Sequence, residues 1–306
     1  MVRGPIWAQT IPVGRSVGLE LSWFFADPDG ETLAYEATSS NPGVAGLSVA
    51  GSWLTMEGMS RGVATGTVVA RDGERAEARQ SFELTVCALA PEGILHHWAG
   101  EGTGADLIGD ADATLMNGAG YAEGVPGAGT AFSFDGVDAI ARVPDAPTLN
   151  PKGPFSVMAW AKPGPGEASG SGTVIGKGHP WKESWELDNH NGRWRTFIRD
   201  GSEQDVRVYG PRLVAGEWTH LAMTWDGDRL AFYVNAVRQG TSDVGSIHVN
   251  DVFVGIGARS EEGFADEELD LEFTGAIDEV MFFGRALDEG EIRSVFDSTT
   301  FGPCNP

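Results

Sequence analysis

The chain has 306 residues, 41% hydrophobic and 9% aromatic, which is enough apolar side chain for one to three packed domains and too much for a disordered one. Its 44 acidic residues against 21 basic ones give a formal charge of −23. That charge repels nucleic acid and anionic lipid and argues against both as partners; divalent cations fit better, a solubilising acidic surface being the alternative. No run of about 18 apolar residues occurs, so no membrane insertion is expected.

In chain order, MVRGPIWAQT lacks the apolar stretch of a secretion signal, and the chain reads as a piece of a longer exported protein whose other domains would be its neighbours. Val17, Leu19, Leu21 and Trp23 alternate with Gly18, Glu20 and Ser22, which predicts one strand running through Trp23. Asp27, Pro28, Asp29 and Gly30 then make a turn. Phe82, Leu84 and Val86 alternate after the turn Arg71, Asp72, Gly73, Glu74. Turns about every ten residues without an amphipathic helix predict a small β-sandwich over residues 1–88, closed by the connection CALAPEG.

LSWFFADPDGETLAYEATSSNPGVAGLSV, followed by VATGTVVARDG, resembles the bacterial cadherin-like and Ig-like repeats of large surface proteins. The resemblance implies an Ig/cadherin-like spacer domain. Its DPDGE stretch, Asp27 to Glu31, also resembles an oxygen-rich Ca²⁺ loop, although a short Asp-x-Asp-Gly is in most cases a turn.

Residues 89–306 read as a larger all-β domain, with strands at Phe132–Phe134, Phe155–Ala161, Ser184–Asp188, Trp194–Arg199, Trp218–Trp225, Leu230–Asn235 and Val252–Ile256. A further strand lies in FTGAIDEVMFFGRALD. Simple alternation there sends Ile277, Glu279, Met281 and Phe283 one way and Asp278, Val280 and Phe282 the other. Asp278 enters an apolar run, where a buried charge costs several kcal/mol unless it is neutralised, and a bound cation is one candidate.

ILHHWAGEGTGAD, AFSFDGVDAIARVPDAPTLNPKGPFSVMAWAKP, GEWTHLAMTWDGDRLAFYVNAVRQG and GAIDEVMFFGRALDEGEIRSVF, in this order, resemble the laminin-G-like jelly roll of the concanavalin A-like lectin/glucanase superfamily. The implied fold class is therefore all-β: an N-terminal Ig/cadherin-like sandwich followed by a concanavalin A-like jelly-roll sandwich. The resemblance includes a cysteine before the first strand and another after the last helical turn, so Cys87 and Cys304 are expected to form a disulfide in an oxidising compartment, two free thiols being the alternative. It also implies a structural Ca²⁺ that pins N-terminal loops to the last strand, with Asp278, Asp135 and Asp106 as candidate ligands. Asx turn-capping is the alternative role for Asp106 and Asp135.

Two departures from the family pattern stand out. Asn235-Ala236 replaces Asn-Gly, which makes that hairpin strained or of another turn type. Ala139 stands where an acidic residue is frequent, which weakens any cation site needing that carboxylate.

Three patterns bear on chemistry. Glu268, Asp270 and Glu272 alternate in DEELDLEFTG and resemble the Glu-x-Asp-x-Glu motif of bacterial lichenases, in which two carboxyls about 5–5.5 Å apart do the work. Here, however, the motif precedes the last strand and reads as an acidic edge. His96 and His97 adjoin on a strand and face opposite sides, so they cannot easily chelate one ion. In SWELDNHNGRWRTFIRD, the Asn191-Gly192 turn pairs Asp188 with Arg195, leaving Glu186, Asp188, His190 and Arg195 on a polar face with Trp181 nearby. Such a face suits sugar hydroxyls or acidic sugars; a solvated ion-pair ladder is the alternative.

The expected function is non-catalytic recognition of a glycan or a surface protein by a Ca²⁺-stabilised module, secreted or at the cell surface. A glycoside hydrolase using the carboxylate trio, or a purely structural Ca²⁺-binding spacer, are the alternatives.

Overall fold

The computed structural model describes residues 2–60, 62–73, 76–87, 91–126, 129–178, 182–260 and 269–298. The chain divides into two compact units, one holding residues 1–90 and the other 91–299. Among the described residues both are built of strands, apart from short 3-10 turns and one α-helix, Glu289–Asp297, whose N-terminus is closed by a reciprocal capping box between Asp288 and Glu291.

In the N-terminal unit, strands Gln9–Pro12, Glu77–Cys87, Gly62–Arg71 and Ala34–Ser39 form one sheet, and Ser16–Glu20, Trp53–Gly58 and Ala45–Ala50 form another. Ile11, Val68, Phe82 and Leu84 from the first meet Leu54 and Met56 from the second in one apolar core. The alternation expected through Trp23 stops early. The Glu20 carboxylate accepts the Ser22 N–H at 3.2 Å, and the chain turns into a 3-10 segment, Leu21–Trp23. Leu21 is buried and Trp23 points outward, 70% exposed. The DPDG stretch is a turn: Asp27 Oδ1 accepts the Asp29 N–H at 2.7 Å, and Gly30 takes φ 82°.

The C-terminal unit is a pair of large jelly-roll-like sheets. The first orders strands Gly120–Glu123, Thr130–Asp135, Thr274–Phe283, Phe155–Pro163, Thr219–Trp225, Arg229–Val234 and Val237–Asp243, and Ile94–Trp98 also pairs with Thr274–Phe283. The second orders Asp205–Arg212, Arg193–Arg199, Trp185–His190, Gly172–Lys177, Val254–Ile256, Ile140–Val143 and Thr114–Met116. Between them lies a core that includes Trp98, Phe132, Phe155, Trp185, Trp194, Phe232 and Phe282. Ala139 is part of this core, so its methyl fills space where a carboxylate would be unsolvated.

The strand Thr274–Phe283 departs from simple alternation. Its partner register against Phe155–Pro163 slips between Met158 and Trp160, and Glu279 takes φ 50°. This β-bulge inserts one residue and reverses the phase, so that Ile277, Val280 and Phe282 all enter the core. The expectation that placed Ile277 with Met281 and Phe283 is corrected at this point. On one side of the strand, Phe132 pairs with Ile277 before the bulge, and Trp98 pairs with Val280 after it.

At the hairpin joining Arg229–Val234 to Val237–Asp243, Asn235 and Ala236 both take positive φ, 50° and 58°. The turn therefore keeps the Asn-Gly geometry and loads it on an alanine, at a cost of about 1 kcal/mol. Ala236→Gly is expected to raise the unfolding free energy by up to about 1 kcal/mol, the relief being partly offset by glycine's greater freedom in the unfolded chain. Urea denaturation checks this, and a lower midpoint for the variant would contradict it.

Candidate functional site

Asn191 and Gly192 take φ 51° and 69°, as a two-residue Asn-Gly turn requires, and the register follows the sequence expectation: Asp188 faces Arg195 and Asn189 faces Trp194. Trp185, Leu187, Trp194 and Ile198 enter the core, which leaves Glu186, Asp188, Arg195 and Phe197 on the outer face of the sheet. That face is closed. Glu186, Asp188 and Arg195 are all buried. Arg195 holds Asp188 with two nitrogens, Nε donating to Oδ1 at 3.0 Å and Nη2 to Oδ2. Glu186 accepts from Thr173 Oγ1 at 2.5 Å and from Arg259 Nη1 at 3.0 Å, and the same Nη1 donates to Glu183 at 3.0 Å.

Burial pushes the Glu186 and Asp188 carboxyls above their ordinary range, against the pull of Arg259 on the first and Arg195 on the second. These residues, expected to meet a ligand across an open polar face, instead engage each other and Arg259 beneath the surface. His190 is half-buried, with Nδ1 3.4 Å from Ser171 Oγ. Trp181 lies outside the described residues.

The three carboxylates expected to share a cation do not converge, and among the described residues no group of three His, Cys, Asp or Glu side chains is placed to hold a metal. Asp135 is an exposed turn-capping residue whose Oδ1 accepts the Val137 N–H at 2.9 Å. Asp106 is a buried hub: Oδ2 meets His96 Nδ1 at 2.6 Å, and Oδ1 accepts the N–H groups of His97 and Gly109, each at 3.0 Å. Burial alone would raise its pKa, but His96 and the backbone donors outweigh it and hold the carboxyl at about 2.

His97 faces the other side of its strand from His96 and bonds Glu279 at 2.7 Å, so the adjacent histidines serve different carboxylates. Asp278 sits at the bulge, fully buried, with Oδ2 accepting the Val125 N–H and Oδ1 the Glu279 N–H, both at 2.9 Å. Burial pushes its carboxyl up to about 7, and the charges of Glu279 and Glu101 add to the rise. Glu101, which accepts the Thr130 N–H at 3.3 Å, lies far from Asp278 in sequence and in no motif that marks it as a partner.

The carboxylate trio fares differently from its sequence pattern. Leu269–Asp270 is a two-residue strand paired with Arg259–Ser260, and Leu271 takes φ 54°. Alternation needs extended backbone throughout, so the left-handed residue breaks the single strand face that the lichenase comparison required. Glu268 and the Asp270 side chain lie outside the described residues. So does Cys304, and with it the expected Cys87–Cys304 pairing.

What stays open on the outer face is found farther along the same sheet. Register carries the face from Glu186 to Gly176, Gly255, Arg142 and Thr114. There a cleft of about 400 Å³ is lined by Asp112, Asp145 and Asp251, with Met116, Arg142 and Phe253 among the other walls. The Arg142 guanidinium stacks over the Phe253 ring, 4.4 Å from its centroid. Beside it, Lys177 donates to Asp145 at 2.5 Å and to the Val252 carbonyl at 2.6 Å, anchoring the rim. Sequence reading missed this cleft because its residues come from two strands, Thr114–Met116 and Ile140–Val143, and from the loops beside them and before Val254–Ile256.

A family model described as the concanavalin A-like lectin/glucanases superfamily matches residues 135–293, slightly more than half of the chain. The chain belongs to this superfamily. Among solved structures, the fold is similar to the binding domain of Paraclostridial Mosquitocidal Protein 1, with TM-score 0.55, 13% identity and coverage of 68% of this chain and 52% of that one. It is also similar to a botulinum neurotoxin type C structure, with TM-score 0.55, 13% identity and coverage of 69% and 52%. Cell entry of that toxin depends on interaction with two ganglioside molecules. The receptor binding domain of botulinum neurotoxin C/D mosaic serotype follows, with TM-score 0.53, 14% identity and coverage of 67% and 51%.

The chain thus spans about half the length of these three structures. No curated protein matches the sequence. At these identities the likeness is one of fold, and the residues that the family model matches all lie in the C-terminal unit. No helix among the described residues is long and apolar enough to cross a membrane.

The buried network makes a direct stability prediction for this superfamily member. Arg195→Ala strands the Asp188 carboxylate without its partner and is expected to cost about 3–5 kcal/mol, whereas Arg195→Ala combined with Asp188→Ala should cost less than the sum of the two single changes. Urea denaturation of the three variants measures the coupling. A loss under about 1 kcal/mol for Arg195→Ala would describe a solvated pair instead.

Proposed function

We propose that the C-terminal unit is a non-catalytic glycan-recognition module of a larger secreted or cell-surface protein. The observation that carries this reading is the open cleft on the outer sheet face. A stacked Arg142–Phe253 pair offers an amphipathic platform, and Asp112, Asp145 and Asp251 line the cleft with carboxylate oxygens that can accept hydroxyl hydrogens beside the protein donors that Asp112 and Asp145 already hold. The volume, about 400 Å³, suits a ligand the size of one or two sugar rings better than a folded protein. Membership of a lectin-containing superfamily and the ganglioside interaction of the type C neurotoxin favour the same ligand class. The buried ladder of Glu186, Asp188 and Arg195 then acts as scaffold for this face, and His190 lies at its margin.

The reading includes a structural Ca²⁺ held by Asp278 and Glu101 with the Gly129 carbonyl. A β-carbon on Gly124 would lie 2.7 Å from Asp278 Oδ2 and 3.1 Å from the Gly129 oxygen, and one on Gly129 would lie 2.3 Å from Glu101 Oε2, so hard oxygen donors crowd together here. Bound Ca²⁺ would supply the positive charge that the buried carboxylate lacks.

On a glycan array, the chain should bind one or more glycans in Ca²⁺ buffer, and Arg142→Ala should weaken that binding about tenfold or more. Glu268→Gln should leave it intact. An array without any bound glycan, or binding indifferent to Arg142→Ala, would overturn the reading.

Without a cation, a carboxyl raised from 3.8 to about 7 contributes stability that is fully present below about pH 4 and lost as pH rises through about 7. In EDTA the wild-type melting temperature should therefore fall between about pH 5 and pH 8 more than that of Asp278→Asn. At about pH 8, added Ca²⁺ should raise the wild type and not the variant. Wild type unmoved by Ca²⁺ would remove the cation from the proposal.

A further inference from the structure

The N-terminal unit has a cleft of its own, about 540 Å³, between the 3-10 turn Leu21–Trp23 and the stretch that enters strand Ala34–Ser39. Trp23, Tyr35, Arg3, Asp27, Glu31 and Ser52 are among its walls. Each is placed by something local. The bridge between Val2 and Phe25, with the Arg3 N–H on the Phe24 carbonyl at 2.8 Å, holds Arg3 beside the turn. The Asx turn at Asp27, whose Oδ1 accepts the Asp29 and Glu31 N–H groups at 2.7 and 3.4 Å, presents the two carboxylates. Tyr35 is packed edge-on against buried Phe25, with centroids 5.9 Å apart, which makes one wall rigid.

Trp23 is the residue the fold does not need. Leu21 supplies the turn's anchor in the core at 0% exposure, while Trp23 leaves 70% of its surface in water. Unlike Trp7, which is as exposed, Trp23 lines a cleft, so its free indole face is placed to stack on a ligand bound there. The partner must also meet one guanidinium, two carboxylates and a serine hydroxyl within that volume. A pyranose ring has this combination of an apolar face and a rim of hydroxyls, each of which both donates and accepts. An anionic ligand is disfavoured by two carboxylates against a single arginine, and a folded protein partner by the concavity and the size, which fall in the range of small-ligand sites.

We propose that the N-terminal unit binds a neutral polysaccharide in this cleft, with one sugar ring stacked on Trp23 and its hydroxyls held by Arg3, Asp27 and Glu31. The site is separate from the Arg142 cleft and stands or falls without it.

The test is native affinity electrophoresis of the full chain through gels that each contain one soluble neutral polysaccharide: β-glucan, xylan, arabinan or galactomannan. At least one gel should retard the wild type. In that gel Trp23→Ala should weaken the apparent affinity about tenfold, the equivalent of one stacked ring, Trp23→Tyr should keep most of it, and Arg142→Ala should keep the Trp23-dependent part. Because Trp23 is exposed, its alanine variant should melt with the wild type, which separates lost binding from lost fold. Retardation that persists in Trp23→Ala, or vanishes only in Arg142→Ala, assigns the binding to the C-terminal cleft and overturns the proposal. Absence of retardation in all four gels also overturns it, and is the result a protein-binding surface would give.

Discussion

The C-terminal unit depends on how one strand, Thr274–Phe283, changes neighbours part-way along its length. Before Asp278 it is paired with Thr130–Asp135, and after Glu279 with Ile94–Trp98, while Phe155–Pro163 runs along its other side. Ladder hydrogen bonds cannot continue across the change, so the backbone there needs side-chain partners. Asp278 accepts the Val125 N–H and Glu279 bonds His97, which ties two incoming segments to the central strand. The bulge that makes room for both carboxylates also resets the phase so that Ile277, Val280 and Phe282 fill the core together. Packing and polar satisfaction are thus met by the same extra residue.

The outer face of the second sheet follows a different logic. Charges on an exposed sheet face are usually worth little, yet here Glu183, Glu186, Asp188, Arg195 and Arg259 are all buried. In that setting each charge must be matched, and the matching is bidentate between Arg195 and Asp188 and shared between Arg259 and two glutamates. Such a network contributes less net stability than its contacts suggest, because desolvation offsets much of the attraction. Its effect is to hold the strands of the face in one arrangement. The open cleft around Arg142 and Phe253 is built on the continuation of that rigid surface.

The two clefts use similar chemistry in unrelated surroundings. Each combines an arginine, an aromatic ring and two or three carboxylates: Arg142 with Phe253 in one unit, Arg3 with Trp23 in the other. A chain with net charge −23 holds anions off at long range, and these arginines are local exceptions, which suits uncharged ligands that present many hydroxyls.

Much of the architecture was legible in the residues. The all-β class, the position of the strands and the Asp188–Arg195 register follow from period-2 alternation and from an Asn-Gly pair whose backbone preference is local. The burden on Asp278 was equally readable, because a carboxylate in an apolar run requires compensation wherever it lies. Alternation failed at Glu279, at Leu271 and at Leu21–Trp23, where left-handed or helical backbone interrupts the extended chain. Those interruptions answer to hydrogen bonds and neighbours that come together only on folding. For the same reason the sequence could place Glu186, Asp188 and Arg195 on one face but not reveal that Arg259, more than sixty residues away, is buried with them and bonds Glu186. Side-chain chemistry and local backbone preference set the strands and their faces; which faces stayed open to a ligand was decided by long-range packing, since burial is a property of the assembled surface and not of any segment.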